Sequence, residues 1–185
     1  PGFIFPSEVS FFHDMKEATA SSQIIFIAVP SQFCRQVYEQ LAPHLSSEQV
    51  IVSLTKGIEE GSLKRMSEVM REVFTPFFKP QIAALSGPSF AKEVAAGYPT
   101  AVVLASKNQK LAKKVQHLIS CLSLRTYTSD DIIGVELAGA VKNVIAIAAG
   151  ISDSLHFGSN SAAALVTRGI AEMARLGVKL GARME

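Results

Sequence analysis

The 185-residue chain is 48% hydrophobic and 18% charged, with a formal net charge of +2. That is apolar material enough for a sizeable core in one domain or two small ones, and it excludes a disordered chain. The charge is too small and too mixed for a nucleic-acid surface, so no nucleic-acid partner is expected. Cys34 and Cys121 lie far apart without the spacing of a metal knuckle or a dithiol, and both read as reduced core thiols. His13, His44, His117 and His156 show no metal-ligand spacing, so the expected metal site is none. No run reaches roughly 18 uninterrupted apolar residues; the nearest, 138–151, is broken by Lys142 and Asn143. The chain therefore reads as soluble and intracellular, with no integral membrane association. It opens Pro-Gly-Phe rather than with Met, without a basic leader, and closes just after a helix-like stretch and a Gly-rich turn. Truncation at both ends is the expectation.

In chain order, residues 24–29 form a continuous apolar run ended by Pro30-Ser31, and residues 50–54 form another ended by Thr55-Lys56-Gly57. Such runs fit strands buried on both faces. Between them Phe33, Val37, Leu41 and Leu45 recur at helical spacing, and Leu63, Met66, Met70 and Phe74 do so afterwards. Strands are expected at 81–85, 100–105 and 124–127, with a short helix at 89–96 and a longer one at 109–122. This alternation predicts an α/β fold, a doubly wound, mostly parallel sheet with helices on its faces. After about residue 130 the pattern changes to two long helix-like segments, 133–151 and 161–176. The expected division is a partial Rossmann-type dinucleotide-binding domain at 1–130 and a partial all-helical substrate domain at 131–185.

Three stretches carry the chemistry. Ser53-Leu54-Thr55-Lys56-Gly57 puts a cation just past a strand's carboxyl end, where open parallel sheets gather their ligand loops. Lys56 reads there either as a phosphate partner or as a solvated turn lysine. Leu85-Ser86-Gly87-Pro88-Ser89-Phe90-Ala91 again leaves a strand for a helix; Ser89 reads as its N-cap, and the stretch reads as an anion site or as a simple capped turn. Gly134 to Asn143 places one ammonium, Lys142, and one amide, Asn143, in an otherwise apolar helix. Desolvation and a second cation such as Lys56 nearby would bring Lys142 into the range of a general acid; the alternative is a snorkelling lysine with its head in water. Glu136, six residues earlier, is too far along the helix to be assumed its neutralising partner. Glu59-Glu60 and Asp130-Asp131 read as helix-start charges or a solvated face.

Together, Leu54-Thr55-Lys56-Gly57-Ile58-Glu59, the Leu85 to Ala91 stretch and Gly134 to Asn143 resemble the bacterial type of NAD(P)-dependent glycerol-3-phosphate dehydrogenase. The resemblance continues through 145–153 and 167–177 and so covers nearly the whole chain. It implies a Rossmann-type domain and a helical domain that completes the substrate pocket, with NAD or NADP as cofactor and a phosphorylated triose, dihydroxyacetone phosphate, as substrate. It matches Lys142 to the family's catalytic lysine and Lys56 to a lysine touching both cofactor and substrate. Gly87 and Ser89 match substrate-side loop positions, Ala91 a cofactor-lining position, and Asn143 an amide that orients substrate. A cytoplasmic setting, a role in phospholipid synthesis and a homodimer are further implications.

The departures from the family pattern are also plain. No Gly-x-Gly-x-x-Gly turn occurs in the chain, so the first strand-helix-strand unit is taken as missing, and a later region with substrate-contacting aspartate and arginine is expected beyond Glu185. The chain in isolation is accordingly expected to bind dinucleotide poorly and to be inactive. Ser159 and Ala162 stand where family members commonly have an acidic residue and a lysine. The competing readings are a β-hydroxyacid dehydrogenase or ketopantoate reductase, against which the Gly87 to Ala91 loop argues, and a non-catalytic Rossmann-like module.

Overall fold

The computed structural model describes residues 2–183. A short helix α1 (Met15–Thr19) precedes strand β1 (Ile24–Ile27), followed by α2 (Ser31–Leu41), β2 (Val50–Ser53), α3 (Met66–Phe74) and β3 (Gln81–Ser86). Helix α4 (Ala91–Ala95), β4 (Thr100–Ala105), α5 (Gln109–Ile119) and β5 (Leu124–Ser129) complete the sheet portion. Two long helices then follow, α6 (Ile132–Ser154) and α7 (Gly158–Lys179).

The five strands lie in chain order, β1-β2-β3-β4-β5. Every pair is parallel except β3 with β4, where Ala84 faces Ala105 and Ser86 faces Val103. This is the doubly wound, mostly parallel sheet expected from the sequence. Strand β2 is buried along its whole length, and its alternation divides two cores. Ile51 packs with Ile27, Ile82 and Ala84 against α2 and α3 on one face, while Val50 and Val52 pack with Leu104 of β4 and with Leu111 and Val115 of α5 on the other.

Of the apolar line expected on α2, Leu41 and the following Leu45 are buried and Val37 packs against the core, but Phe33 is not part of the buried face. Cys34 and Tyr38 are fully buried, whereas Phe33 is 58% exposed. Leu63 lies outside α3, exposed and at φ +56°. Of the two thiols only Cys34 is buried; Cys121 is exposed, just past the end of α5.

Helix α6 opens on Asp131, whose side chain accepts from the Gly134 amide, and its 23 residues make it the longest element. By length and apolarity, with a mean hydropathy of 1.8 over 18 residues, it would suffice to cross a membrane, a test that tolerates the Lys142-Asn143 interruption. Its first turns are packed on the sheet instead: Ile132 joins the core beside α2 and α3, and Glu136, Leu137 and Gly139 are buried. Its later residues Val144, Ile147 and Ile151 are exposed. Helix α7 crosses α6 at Gly169, where any Cβ would stand 2.6 Å from the Ile145 side chain. Among the described residues no group of histidine, cysteine and carboxylate side chains could hold a metal ion.

Candidate functional site

The carboxyl ends of β1, β2 and β3 open on the same edge of the sheet, because all three strands run parallel. The loops there are tied together. Thr55 Oγ1, just beyond β2, donates to the Val29 carbonyl beyond β1 at 2.7 Å. Lys56 Nζ reaches the loop beyond β3, donating to the Gly87 carbonyl at 3.0 Å and to Ser89 Oγ at 3.4 Å. Ser89 Oγ itself donates to the Gly87 carbonyl at 3.3 Å. Ser89 is therefore not the cap of α4. Phe90 occupies the cap position without a side-chain bond, and the serine hydroxyl is committed to the lysine instead.

Gly87 is required by close approach. Its backbone passes so near β4 that a Cβ would lie 2.8 Å from the Ala101 carbonyl oxygen and 2.9 Å from Val102 Cα. Gly139, on α6, plays the matching part from above the sheet. A Cβ there would meet Ser86 Oγ at 2.6 Å and Lys56 Cγ at 3.7 Å, so the helix rests against the end of β3 and the stem of Lys56.

One turn further along α6 lies Lys142, half-buried. The Lys56 ammonium is held below the ordinary lysine range, first by burial and then by the neighbouring Lys142 cation. The chain thus brings together the two lysines singled out from the sequence, and the depression falls on Lys56. Two adjacent cations, with no carboxylate bonded to either among the described residues, are an arrangement that suits an anion or a developing oxyanion.

A cleft of about 750 Å³ adjoins this cluster. Phe26, Leu54, Leu85 and Val102 give it apolar walls, Ser89 and Ala91 line it, and among the described residues Lys56 is the only charged group in its wall. Apolar walls with one cation suit a flat heteroaromatic ring joined to phosphates. Gly87, Lys142 and Asn143 are outside this lining. Gly87 joins the cluster through Lys56, whereas Asn143 is exposed on α6 with no hydrogen bond tying it to the others.

Glu59 and Glu136 find their partners far away in sequence. Glu136 is buried on α6, and its carboxylate accepts from Ser67 N, Ser67 Oγ and Arg65 Nη1, each at 2.7 Å. It does not serve Lys142. Burial pushes its carboxyl above the ordinary range, against the three donors that favour the charged form. Glu59 is not a solvated charge: Arg35 grips it through two bonds, at 2.8 and 2.9 Å, and holds its pKa down to about 2. Asp130 pairs with Arg183.

Comparison with known proteins identifies the architecture. The model of the NAD-dependent glycerol-3-phosphate dehydrogenase N-terminus matches residues 1–112, and that of the C-terminus matches residues 131–185. The chain belongs to this family. It is 49% identical over 185 residues to the glycerol-3-phosphate dehydrogenase [NAD(P)+] of Koribacter versatilis and 48% identical over 183 residues to that of Syntrophotalea carbinolica. All or nearly all of this chain is covered in each case, but only 55% of the relative. The chain spans about half the length of the curated relatives it matches. The crystal structure of glycerol-3-phosphate dehydrogenase from Coxiella burnetii superposes with a TM-score of 0.91 at 40% identity, over 99% of this chain and 55% of that one. The enzyme from Saccharomyces cerevisiae gives 0.85 at 26% identity, over 99% and 54%. A ketopantoate reductase from Ralstonia eutropha gives 0.52 at 14% identity, a likeness of fold alone.

Proposed function

We propose that this chain supplies the sheet edge and the interdomain helix of an NAD(P)-dependent glycerol-3-phosphate dehydrogenase, which interconverts dihydroxyacetone phosphate and glycerol 3-phosphate in the cytoplasm. The observation that carries the reading is the pair Lys56 and Lys142, with Lys56 fixed on the Gly87 carbonyl and Ser89 and lowered in pKa by burial and then by its neighbour. We place the division between the dinucleotide-binding and helical parts near residue 130, between β5 and α6, and read α6 as the linking helix rather than a membrane span. The buried Arg65–Glu136 pair supports that reading, since it commits the helix to the sheet portion.

In this mechanism Lys56 and Ala91 hold the dinucleotide beside the cleft, and the dinucleotide, when bound, supplies the hydride. Lys142 donates a proton to the carbonyl oxygen during reduction and takes it back during oxidation. Lys56 carries positive charge toward the substrate phosphate or the developing oxyanion, at a site where partial burial strengthens that attraction. Gly87 and Ser89 fix the direction of Lys56. Asn143 orients substrate from the exposed side of α6. Position and charge are what the protein contributes.

The test is dihydroxyacetone-phosphate-dependent oxidation of NADH and of NADPH by the polypeptide with its native termini, beside Lys142→Ala at equal folded concentration. A loss of about 10²- to 10⁴-fold is expected on removing a general acid. Survival of activity in Lys142→Ala would transfer the proton to another group. No turnover with either cofactor from the folded protein would overturn the dehydrogenase reading.

A further inference from the structure

Two ammonium groups repel, and neither Lys56 nor Lys142 has a carboxylate partner among the described residues. Something other than their own attraction must hold their backbones together. Lys56 belongs to the loop that leaves β2, and two residues on, Ile58 forms an isolated antiparallel bridge with Arg65. Arg65 in turn is the residue that grips Glu136 of α6. The backbone that carries Lys56 and the helix that carries Lys142 are thus stapled to each other through one buried carboxylate.

The staple has the geometry of a locator. Glu136 spreads its two oxygens over separate donors: Oε1 accepts from the Ser67 amide, and Oε2 accepts from the Ser67 hydroxyl and the Arg65 guanidinium. The Ser67 amide belongs to the first turn of α3, where free backbone N–H groups favour a negative charge. The Arg65 and Glu136 side chains are only 12% and 5% exposed, so little solvent competes for these bonds. Three donors from two directions fix both the rotation of α6 and its height over the sheet. Gly139, three residues on, then seats on Ser86 and the Lys56 stem, and Lys142, three further on, faces the same way.

We infer that Glu136 is a positioning residue, which through Arg65 and Ser67 locks α6 at the setting that holds Lys142 beside Lys56 against their mutual repulsion. A buried ion pair is weak evidence for stability on its own, and a role in fixing one arrangement is the better-attested reason to keep one. The consequence for turnover rests on the assignment of Lys142 and Lys56 given above, whereas the mechanical claim does not.

The Glu136 staple has a readout that needs no activity. The groups facing Lys56 are Lys142 from α6 and the Gly87 carbonyl and Ser89 hydroxyl from the β3–α4 loop. In Glu136→Gln the charged staple is gone, the two cations can separate, and the part of the Lys56 depression due to Lys142 should vanish. Titration of Lys56 by NMR, after isotopic labelling of lysine side chains in the protein with native termini, should show its midpoint rising toward the ordinary lysine value. Val115→Ala, a core truncation beneath α5 on the opposite face of the sheet, should lower stability without moving that midpoint. Where Glu136→Gln does not fold, Arg65→Lys keeps the charge, loses the fork and is read the same way. An unmoved Lys56 midpoint in a folded Glu136→Gln or Arg65→Lys protein, or an equal rise in Val115→Ala, overturns the inference. The same samples are assayed for dihydroxyacetone phosphate reduction. A shifted midpoint in a protein whose wild type does not turn over leaves the staple standing and removes only the assigned reaction.

Discussion

Replacing Gly87 by alanine drives a methyl group into the backbone of β4. The new Cβ would lie 2.8 Å from the Ala101 carbonyl oxygen and 2.9 Å from Val102 Cα, where comfortable contacts between carbon atoms lie at about 3.5–4.0 Å. Both obstacles are main-chain atoms of a hydrogen-bonded strand, so no side-chain rotation relieves them. Overpacking of this kind costs about 1–3 kcal/mol, and a φ of +155° at Gly87 adds backbone strain of about 1–3 kcal/mol. Gly97→Ala is the matched control, since it too has a positive φ, +78°, but nothing within 4 Å of its added Cβ; it should lose only the strain, about 1–2 kcal/mol. Urea unfolding of the two variants beside wild type measures both. Gly87→Ala should lose about 2–6 kcal/mol in all, and since the Gly87 carbonyl is the nearer acceptor for Lys56, it should also weaken binding of phosphorylated substrate. A loss no greater than that of Gly97→Ala would refute the close-approach argument.

Lys56→Met should stabilise the fold at neutral pH while abolishing turnover. A lysine held below its ordinary pKa costs stability while it is charged, and that cost fades as pH rises through its folded pKa toward 10.5; a variant no more stable than wild type at pH 7, by thermal melting, would count against it. Glu59 gives the opposite sign. Its pKa, depressed from 4.5 to about 2 first by the Arg35 hydrogen bonds, contributes stability that is complete above pH 4.5 and lost as pH falls toward 2. Arg35→Met should flatten the acid limb of the stability curve in that window, and an unchanged slope would argue against the pair. Thr55→Val removes the hydroxyl that satisfies the Val29 carbonyl and should cost about 1–3 kcal/mol by urea unfolding, with a larger fall in activity than in stability as the β1 and β2 loops part.

Strands β1, β2 and β3 were legible because each is an apolar run followed by Pro30, Gly57 or Gly87, and the change of architecture after β5 was legible because Ala- and Ile-rich helical spacing replaces those runs. The first turn of α2 was not. Apolar spacing selects Phe33 with Val37, Leu41 and Leu45, whereas the buried line starts Ser31, Cys34, Tyr38 before it reaches Leu41 and so mixes polar atoms into it. Ser89 looked like a cap because serine before a helix usually is one; its competing partner, Lys56, lies in another loop. The same holds for Glu59 and Glu136, whose partners stand 24 and 71 residues away. Local spacing reveals which side chains share a helix face, but the choice of partner for a buried charge is made by the packing of distant elements. Lys142 was visible early for the converse reason, since a lone ammonium in an apolar helix is anomalous before any partner is known.

The 23 residues of α6 form a rod of about 34 Å at about 1.5 Å per residue, gripped near one end and free of the sheet at the other. Taking the Glu136 grip as a fulcrum, Lys142 stands about 9 Å along the rod and Ser154 about 27 Å along it. A sideways movement of the α6–α7 turn therefore arrives at Lys142 reduced about threefold, so that about 3 Å at the tip becomes about 1 Å at the ammonium, the scale on which misplacing the proton donor proposed for this site would cost about 10²-fold in rate. Whatever presses on the far end of this helix holds a lever whose short arm ends in the site.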